Sequence, residues 1–163
     1  MNNRIMALLA ALAAGLALGI ALASERWGGL VPCALCLWER WPYRVAIVLG
    51  LVGAVLPDRL ARWVLWLLVF SAIVGTALGA VHVGVEWKFW PSPLPECVAP
   101  DLGGLSLSER LARMPARPSK PCDEPTYLIP FLPISMAMMN FLFAMAFAAA
   151  IAWYLRRSQR RPA

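Results

Sequence analysis

Four long apolar stretches constrain this chain more than any other feature, because each is long enough to cross a lipid bilayer. They run over residues 5–23, 37–56, 63–85 and 135–155. A helix needs about 20 residues to span a hydrocarbon core of about 30 Å, and a spanning segment must satisfy its own backbone hydrogen bonds. The second stretch qualifies only if its charged start, with Glu39, Arg40 and Arg44, lies at the interface. The sequence therefore predicts an all-α membrane protein, a four-transmembrane-helix bundle forming a single integral membrane domain over residues 1–163.

The composition agrees with this fold class. Apolar residues make up 61% of the chain and charged residues 15%, against about 45–50% and about 25% in an average soluble domain. The mean hydropathy is +0.66. These values exclude a soluble globular enzyme, a disordered chain and a coiled coil. The net charge is +6, but the cations form no basic stripe between aromatic residues, so we expect no nucleic-acid partner.

The distribution of Lys and Arg predicts the orientation. Seven of the 15 cations fall at Arg4, in the short turn 57–62 and in the tail 156–163. Cationic segments stay preferentially on the cytoplasmic side, so both termini are predicted there and the loops 24–36 and 86–134 outside. As an alternative, Arg4 and its apolar run resemble a cleavable signal peptide, whose removal would leave the rest of the topology unchanged.

Four cysteines, Cys33, Cys36, Cys97 and Cys122, all fall on the outer side of this topology. Disulfides persist outside the cytoplasm, so two pairs are expected; three connectivities are possible, and the C-x-x-C spacing favours a local Cys33–Cys36 pair. Three interpretations compete: structural disulfides, a zinc site, and a relay of redox-active disulfides. The sequence has no second C-x-x-C and no paired histidine, so we expect no metal.

The position of Cys36 favours the redox interpretation. It lies at the first turn of the second predicted helix, where the helix dipole favours an anion. Arg40 is four residues further on, on the same helical face, and its guanidinium would stabilise a reactive Cys36 thiolate. Alternatively, Arg40 is an interface cation that extends toward the headgroups.

The second outer loop contains a short helix signal. Ser106 and Glu109 have the spacing of a capping box, and an amphipathic pattern follows, with Leu107, Leu111 and Met114 on one face. We expect a short amphipathic helix that either lies on the membrane surface or packs, solvated, on the loop.

Several motifs together resemble one family, that of the disulfide bond formation protein B (DsbB), over nearly the whole chain. The main motif is P-C-A-L-C-L-W-E-R-W-P-Y at residues 32–43. The others are H-V-G-V-E at 82–86, W-P-S-P at 90–93, C-D-E at 122–124, and S-M-A at 135–137 followed by Asn140. The resemblance implies a multi-pass enzyme of the bacterial inner membrane, with its cysteine loops in the periplasm.

The resemblance also implies an electron route. A periplasmic thioredoxin-fold protein of the DsbA type would attack the Cys97–Cys122 disulfide, forming a mixed disulfide with Cys97. Electrons would pass to Cys33–Cys36, and Cys36, helped by Arg40, would reduce a bound quinone, either ubiquinone or menaquinone. We expect this quinone among the outer ends of the first three helices, in contact with membrane lipid.

His82, the only histidine, and Glu86 complete the predicted site. An ionisable group within a membrane segment is a functional candidate, so these two residues are expected to contact the quinone; alternatively, they pair with each other and orient the loop. Two other functions remain open: a membrane scaffold with structural disulfides, and a protein of the same fold with a dedicated substrate.

Overall fold

The computed structural model describes residues 2–97, 104, 106–112, 120–129 and 131–159 of the chain. Its elements, in chain order, are α1 (Asn3–Arg26), α2 (Ala34–Val55), α3 (Asp58–Glu86), a 3-10 turn (Pro95–Cys97), α4 (Leu107–Ala112) and α5 (Met136–Gln159). No β-strand occurs within these ranges. The predicted all-α class is confirmed.

Three of the long helices, α1, α3 and α5, are long and apolar enough to cross a membrane. The remaining long helix, α2, has 22 residues and includes the charged start seen in the sequence. The fold is therefore an all-helical one with three helices suited to membrane spans.

The links between helices are shorter than expected from the sequence. The turn predicted at 57–62 is helical from Asp58 onward, so Leu56 and Pro57 alone connect α2 to α3. Pro57 ends the preceding helix and precedes the first turn of α3, where the Asp58 carboxylate favours helix initiation through the helix dipole. Similarly, α1 extends to Arg26, which shortens the predicted loop 24–36 at its start.

Polar contacts at one end of the bundle fix the helix starts to each other. The backbone N–H of Asn3 donates to the Asp58 carboxylate at 2.7 Å, and its side-chain amide donates to the other carboxylate oxygen at 2.7 Å. Tyr154 donates to the Asn3 amide oxygen at 3.2 Å. Arg4 donates to the carbonyl of Ala54, near the end of α2, at 2.9 Å. The chain start, the α2–α3 link and the last turns of α5 therefore meet at this end.

Small residues allow close packing along the bundle. The helices neighbour one another in the order α1, α2, α3, α5, with α3 also in contact with α1. A Cβ atom built on Gly50 of α2 would lie 2.7 Å from the Ala7 carbonyl oxygen and 2.8 Å from the Ala11 side chain. A larger residue would therefore force α1 and α2 apart. The core contains Ala7, Ala10, Ala14, Tyr43, Ala46, Leu65, Leu68, Val69, Ile151 and Leu155.

The short helix predicted in the second outer loop is present as α4. Its capping box is confirmed: the Ser106 N–H donates to the Glu109 carboxylate at 2.9 Å, and the Glu109 N–H donates to Ser106 Oγ at 3.4 Å. Hydrogen bonds from Ser106 lower the pKa of the Glu109 carboxyl below its usual value. Met114 and the end of the basic tail, at 160–163, lie outside the described residues, and contact of α4 with a membrane stays a prediction.

Candidate redox site

The first cysteine pair lies at the start of α2, as the sequence predicts. Cys33 is the N-cap residue, and its sulfur accepts a hydrogen bond from the Cys36 backbone N–H at 3.2 Å. The two Sγ atoms lie 2.8 Å apart and share a hydrogen bond. That bond lowers the pKa of Cys33, and the Cys36 N–H acts in the same direction, against the effect of burial. The resemblance implies a disulfide here, whereas the structure holds the pair as two thiols.

The second cysteine pair lies directly beside the first. Cys97 and Cys122 are joined by a disulfide, and the Cys122 N–H donates to the Cys97 carbonyl at 3.2 Å. An isolated β-bridge pairs Cys33 with Lys120, two residues before Cys122. Cys33, Cys97 and Cys122 are buried in one apolar cluster with Leu35 and Val85. The fold therefore brings the two pairs together from segments at least 61 residues apart in the sequence.

His82 links the first cysteine pair to a carboxylate. Its Nε2 lies 3.5 Å from Cys33 Sγ, and its Nδ1 lies 2.9 Å from Glu39 Oε1. Both His82 and Glu39 are buried. An ionised carboxylate only accepts hydrogen bonds, so the Nδ1–H donates to Glu39 and the second ring nitrogen faces the thiol.

Glu86, the fourth residue after His82, has a different partner. Ser135, just before α5, donates its hydroxyl hydrogen to Glu86 at 2.5 Å, and its oxygen accepts from the Met138 N–H at 3.2 Å. Glu86 thus connects the C-terminal end of α3 to the start of α5. The sequence alternative, in which His82 pairs with Glu86, is not what the structure has. His82 pairs with Glu39 of α2, and Glu86 pairs with Ser135 just before α5.

Arg40 is buried and ion-paired. Its Nη2 lies 2.8 Å from Glu25 Oε2, and this pair joins α2 to the end of α1. The sequence predicts that the guanidinium stabilises a Cys36 thiolate. In the structure Arg40 is held by Glu25 at the wall of the cavity that Cys36 also lines, and its effect on Cys36 stays a prediction.

An apolar cavity of about 350 Å³ opens beside Cys36. Its walls come from α1, α2, α5 and the segments at 30–32 and 126–128. The expected position of a quinone among the outer ends of the first three helices stays a prediction. Tyr43 and Asn140 lie in this wall, and the Tyr43 hydroxyl donates to the Asn140 amide oxygen at 2.5 Å. The buried Asn140 Nδ2 has no hydrogen-bond partner within the described part of the chain. Asn140 therefore brings a buried, unpaired donor to a mostly apolar wall that also contains Arg40 and Tyr43.

Sequence reasoning gave no role to four residues of this site: Glu25, Glu39, Tyr43 and Asn140. A signal existed for two of them, because Glu39 and Asn140 are polar residues inside long apolar stretches, where a polar side chain needs a partner. Glu25 and Tyr43 lie near predicted helix ends and look like ordinary interface residues. Their positions in the cavity wall follow only from the way that the helices pack.

An all-helical membrane fold with two adjacent cysteine pairs at one end defines a class of thiol–disulfide membrane proteins. The comparison with known families gives the family itself. A family model described as "Disulfide bond formation protein DsbB" matches residues 3–154. The chain belongs to the DsbB family.

Curated relatives named "Disulfide bond formation protein B" agree with this assignment. The protein of Actinobacillus pleuropneumoniae is 38% identical over 97 residues, covering 58% of this chain and 53% of that relative. That match thus spans about half of the relative's length. The protein of Pasteurella multocida is 27% identical over 152 residues, covering 87% of this chain and 83% of that relative. No solved structure matches the chain.

Proposed function

We propose that this protein reoxidises a periplasmic thiol oxidant of the DsbA type and delivers the electrons to a quinone in the bacterial inner membrane. One observation carries the proposal: the Cys33–Cys36 pair lies between the Cys97–Cys122 disulfide on one side and the apolar cavity on the other. This order of groups provides a route from a soluble partner to a lipid-soluble acceptor.

The electron balance explains why two pairs and an acceptor are needed. The partner dithiol loses two electrons and two protons as its disulfide forms, and the Cys97–Cys122 disulfide gains them. Exchange with a Cys33–Cys36 disulfide then restores the Cys97–Cys122 disulfide and leaves Cys33 and Cys36 as two thiols, which carry the two electrons and two protons. A DsbA-type oxidant has a potential near about −120 mV, so its electrons need an acceptor that is more oxidising still. A bound quinone supplies that chemistry by taking up two electrons and two protons.

The cavity suits a quinone ring, with apolar walls and few polar groups, as small-molecule sites usually have. The unused Asn140 Nδ2 is a donor for a carbonyl oxygen, and Tyr43 fixes the amide by donating to its oxygen. Arg40, held by Glu25, adds a positive charge to the same wall. Cys36 lines the cavity, whereas Cys33 faces His82, so Cys36 is the thiol that meets the acceptor.

The partner is proposed to dock at the second cysteine pair. Cys97 lines a separate open groove together with Lys88, Trp90, Asp123 and Glu124. Aromatic side chains such as Trp90 in this groove are enriched in protein docking sites. A nucleophilic partner thiol that enters it reaches Cys97 first, which yields a mixed disulfide and frees Cys122.

We also propose that α2 is a fourth span, with both termini in the cytoplasm and the cysteines in the periplasm. Its 22 residues extend about 33 Å, enough for a core of about 30 Å. Of its charged residues, Glu39 and Arg40 are buried against other helices and Arg44, near its start, is exposed, while Val48, Leu51 and Val55 face outward. An outward apolar face with inward charges is what lipid contact requires.

The test uses the full-length protein in lipid nanodiscs with a reduced DsbA-type partner and a series of ubiquinones and menaquinones. Quinol formation is followed by absorbance. We expect wild-type turnover with at least one quinone, no quinone reduction by Cys36→Ser, and no trapped partner with Cys97→Ser. Quinol formation at the wild-type rate by Cys36→Ser would overturn the proposal.

A second arm separates a relay from a scaffold with structural disulfides. Under mild reductant, relay disulfides exchange quickly with thiols, whereas structural disulfides resist. The rate at which Cys97 and Cys122 become open to alkylation distinguishes the two cases, since only a relay disulfide is reduced quickly. Persistent protection of both residues under conditions that reduce the partner contradicts the electron route.

A further inference from the structure

We infer that the reduced protein binds one Zn²⁺ ion through Cys33, Cys36 and His82. The ligand atoms of these three side chains all lie within 4.8 Å of one another. Two thiols and an imidazole are the ligand types that Zn²⁺ prefers, and two cysteines with one histidine form a known three-ligand set. The inference concerns metal binding by the reduced chain and stands apart from the proposed electron route.

The distances suit a tetrahedral ion after a small adjustment. With Zn–S of about 2.3 Å and Zn–N of about 2.0–2.1 Å, a tetrahedron has an S···N edge of about 3.6 Å and an S···S edge of about 3.8 Å. The Cys33 Sγ to His82 Nε2 distance is 3.5 Å, close to the first value. The two sulfurs, now 2.8 Å apart, have to separate by about 1 Å. Cys36 borders the cavity, so its side chain has room for that movement.

Glu39 prepares the imidazole for a metal. A zinc-bound histidine commonly donates its other ring N–H to a carboxylate, which fixes the tautomer and the ring orientation. Here the Nδ1–H donates to Glu39 at 2.9 Å and Nε2 faces the cysteines. The supporting partner of a zinc site is therefore already in place.

Charge balance also favours the ion. Two thiolates cancel the charge of Zn²⁺, so the loaded site adds no net charge to a buried region where an isolated charge is unfavourable. Each thiol releases its proton as its Zn–S bond forms. Cys36 lines the cavity, so water can reach the site from that side as a fourth ligand, as in zinc sites with three protein ligands.

Redox state controls this site, because a Cys33–Cys36 disulfide offers no thiolate. Zinc is expected to hold the reduced pair and to withdraw both sulfurs from exchange. A thiophilic divalent cation at the periplasmic side is thus expected to inhibit the oxidase reversibly, until a chelator removes it.

The test measures Zn²⁺ binding by the purified full-length protein in detergent, with neither partner nor quinone present. Reduced wild-type protein is expected to bind one Zn²⁺ per chain, and oxidised protein none. Cys33→Ser and His82→Ala should weaken binding by about tenfold or more, and Glu39→Gln by about 10–100-fold, the range found for supporting partners of zinc ligands. A matched control, the double variant Cys97→Ser/Cys122→Ser, should bind Zn²⁺ like the wild type.

Two further measurements guard against unfolded variants. In the wild type, Zn²⁺ should protect Cys33 and Cys36 from alkylation, and Co²⁺ in its place should give the sulfur-to-metal charge-transfer absorption of thiolate ligation. Equal binding by oxidised and reduced protein, unchanged affinity in His82→Ala, or loss of zinc in the Cys97→Ser/Cys122→Ser variant would overturn the inference. Because none of these readouts uses turnover, failure of the metal site and failure of the electron route give different results.

Discussion

Glu39 on α2 and His82 on α3 form a buried pair, in which the carboxylate Oε1 lies 2.9 Å from the imidazole Nδ1. The pair connects α2 to α3 next to the first cysteine pair, and it determines which nitrogen of the His82 ring faces Cys33. It therefore contributes both to the packing of the bundle and to the geometry of the redox site.

Glu39→Ala is expected to destabilise the protein, because it leaves the His82 N–H buried without its acceptor. Loss of one partner from a buried hydrogen bond costs about 1–3 kcal/mol. The measurement is the apparent melting temperature in detergent. Glu124→Ala, in the exposed loop after Cys122, serves as the control. Equal melting temperatures for the two variants would contradict a structural contribution of the pair.

Gly50→Ala tests the close approach of α1 and α2. The new methyl group would meet the Ala7 carbonyl oxygen at 2.7 Å, so the two helices must separate. Overpacking of this kind costs about 1–3 kcal/mol. Gly15→Ala is the matched control, since nothing lies within 4 Å of a Cβ built there. It should be neutral or slightly stabilising, because alanine is the better helix former.

Thermal unfolding of both glycine variants in the same detergent gives the comparison. If Gly15→Ala lowers the melting temperature as much as Gly50→Ala does, the loss reflects helix substitution in general, and the proposed contact between α1 and α2 is not its cause.

Local patterns in the sequence predict the helices but not the partners of the charged residues. Apolar length places α1, α3 and α5, and the C-x-x-C motif places Cys36 at a helix start. A spacing of four residues on one helix predicts two contacts, one between Arg40 and Cys36 and one between His82 and Glu86. The structure instead pairs Arg40 with Glu25 and His82 with Glu39.

The reason is physical. Side chains four residues apart on a helix are neighbours but interact only weakly, whereas a charge that is buried between helices needs an opposite group, and here the adjacent helix presents it. His82 and Glu39 are 43 residues apart in the sequence, so no local pattern reveals the contact. For the same reason no local pattern reveals that His82 lies beside Cys33 and Cys36, since it follows Cys36 by 46 residues.

Glu109 in the capping box of α4 provides a pH prediction. Hydrogen bonds from Ser106 lower its pKa in the folded loop, so the stabilisation is present above the unfolded pKa and is lost as the pH falls through the lowered value. Carboxyl NMR titration of the full-length protein should give a Glu109 midpoint below the model-peptide value of about 4.3. Ser106→Ala should raise this midpoint, and Ser106→Thr, which keeps a hydroxyl, should largely preserve it. An unchanged midpoint in Ser106→Ala would contradict the assignment.

The ion pair between Arg40 and Glu25 is expected to act on the quinone through Arg40. Arg40→Ala removes a positive charge from the cavity wall, and the KM for quinone should rise about tenfold, which corresponds to about 1.4 kcal/mol. Glu25→Ala should raise KM less, because it only frees the guanidinium from its position. Arg44→Ala is the matched control. Arg44 lies one turn after Arg40 on α2, is exposed and stacks on the Trp41 ring.

A double-mutant cycle over quinone kinetics decides whether the two residues act as a unit. If Glu25 works by positioning Arg40, the double variant should have the same KM as Arg40→Ala alone, because the position of a missing guanidinium no longer matters. The effect should lie in KM more than in kcat, because the charge is present before any electron moves. Additive effects of the two substitutions would show that Glu25 does not act by positioning Arg40. An equal rise of KM in Arg44→Ala would show that the effect on quinone binding is not specific to the Arg40–Glu25 ion pair.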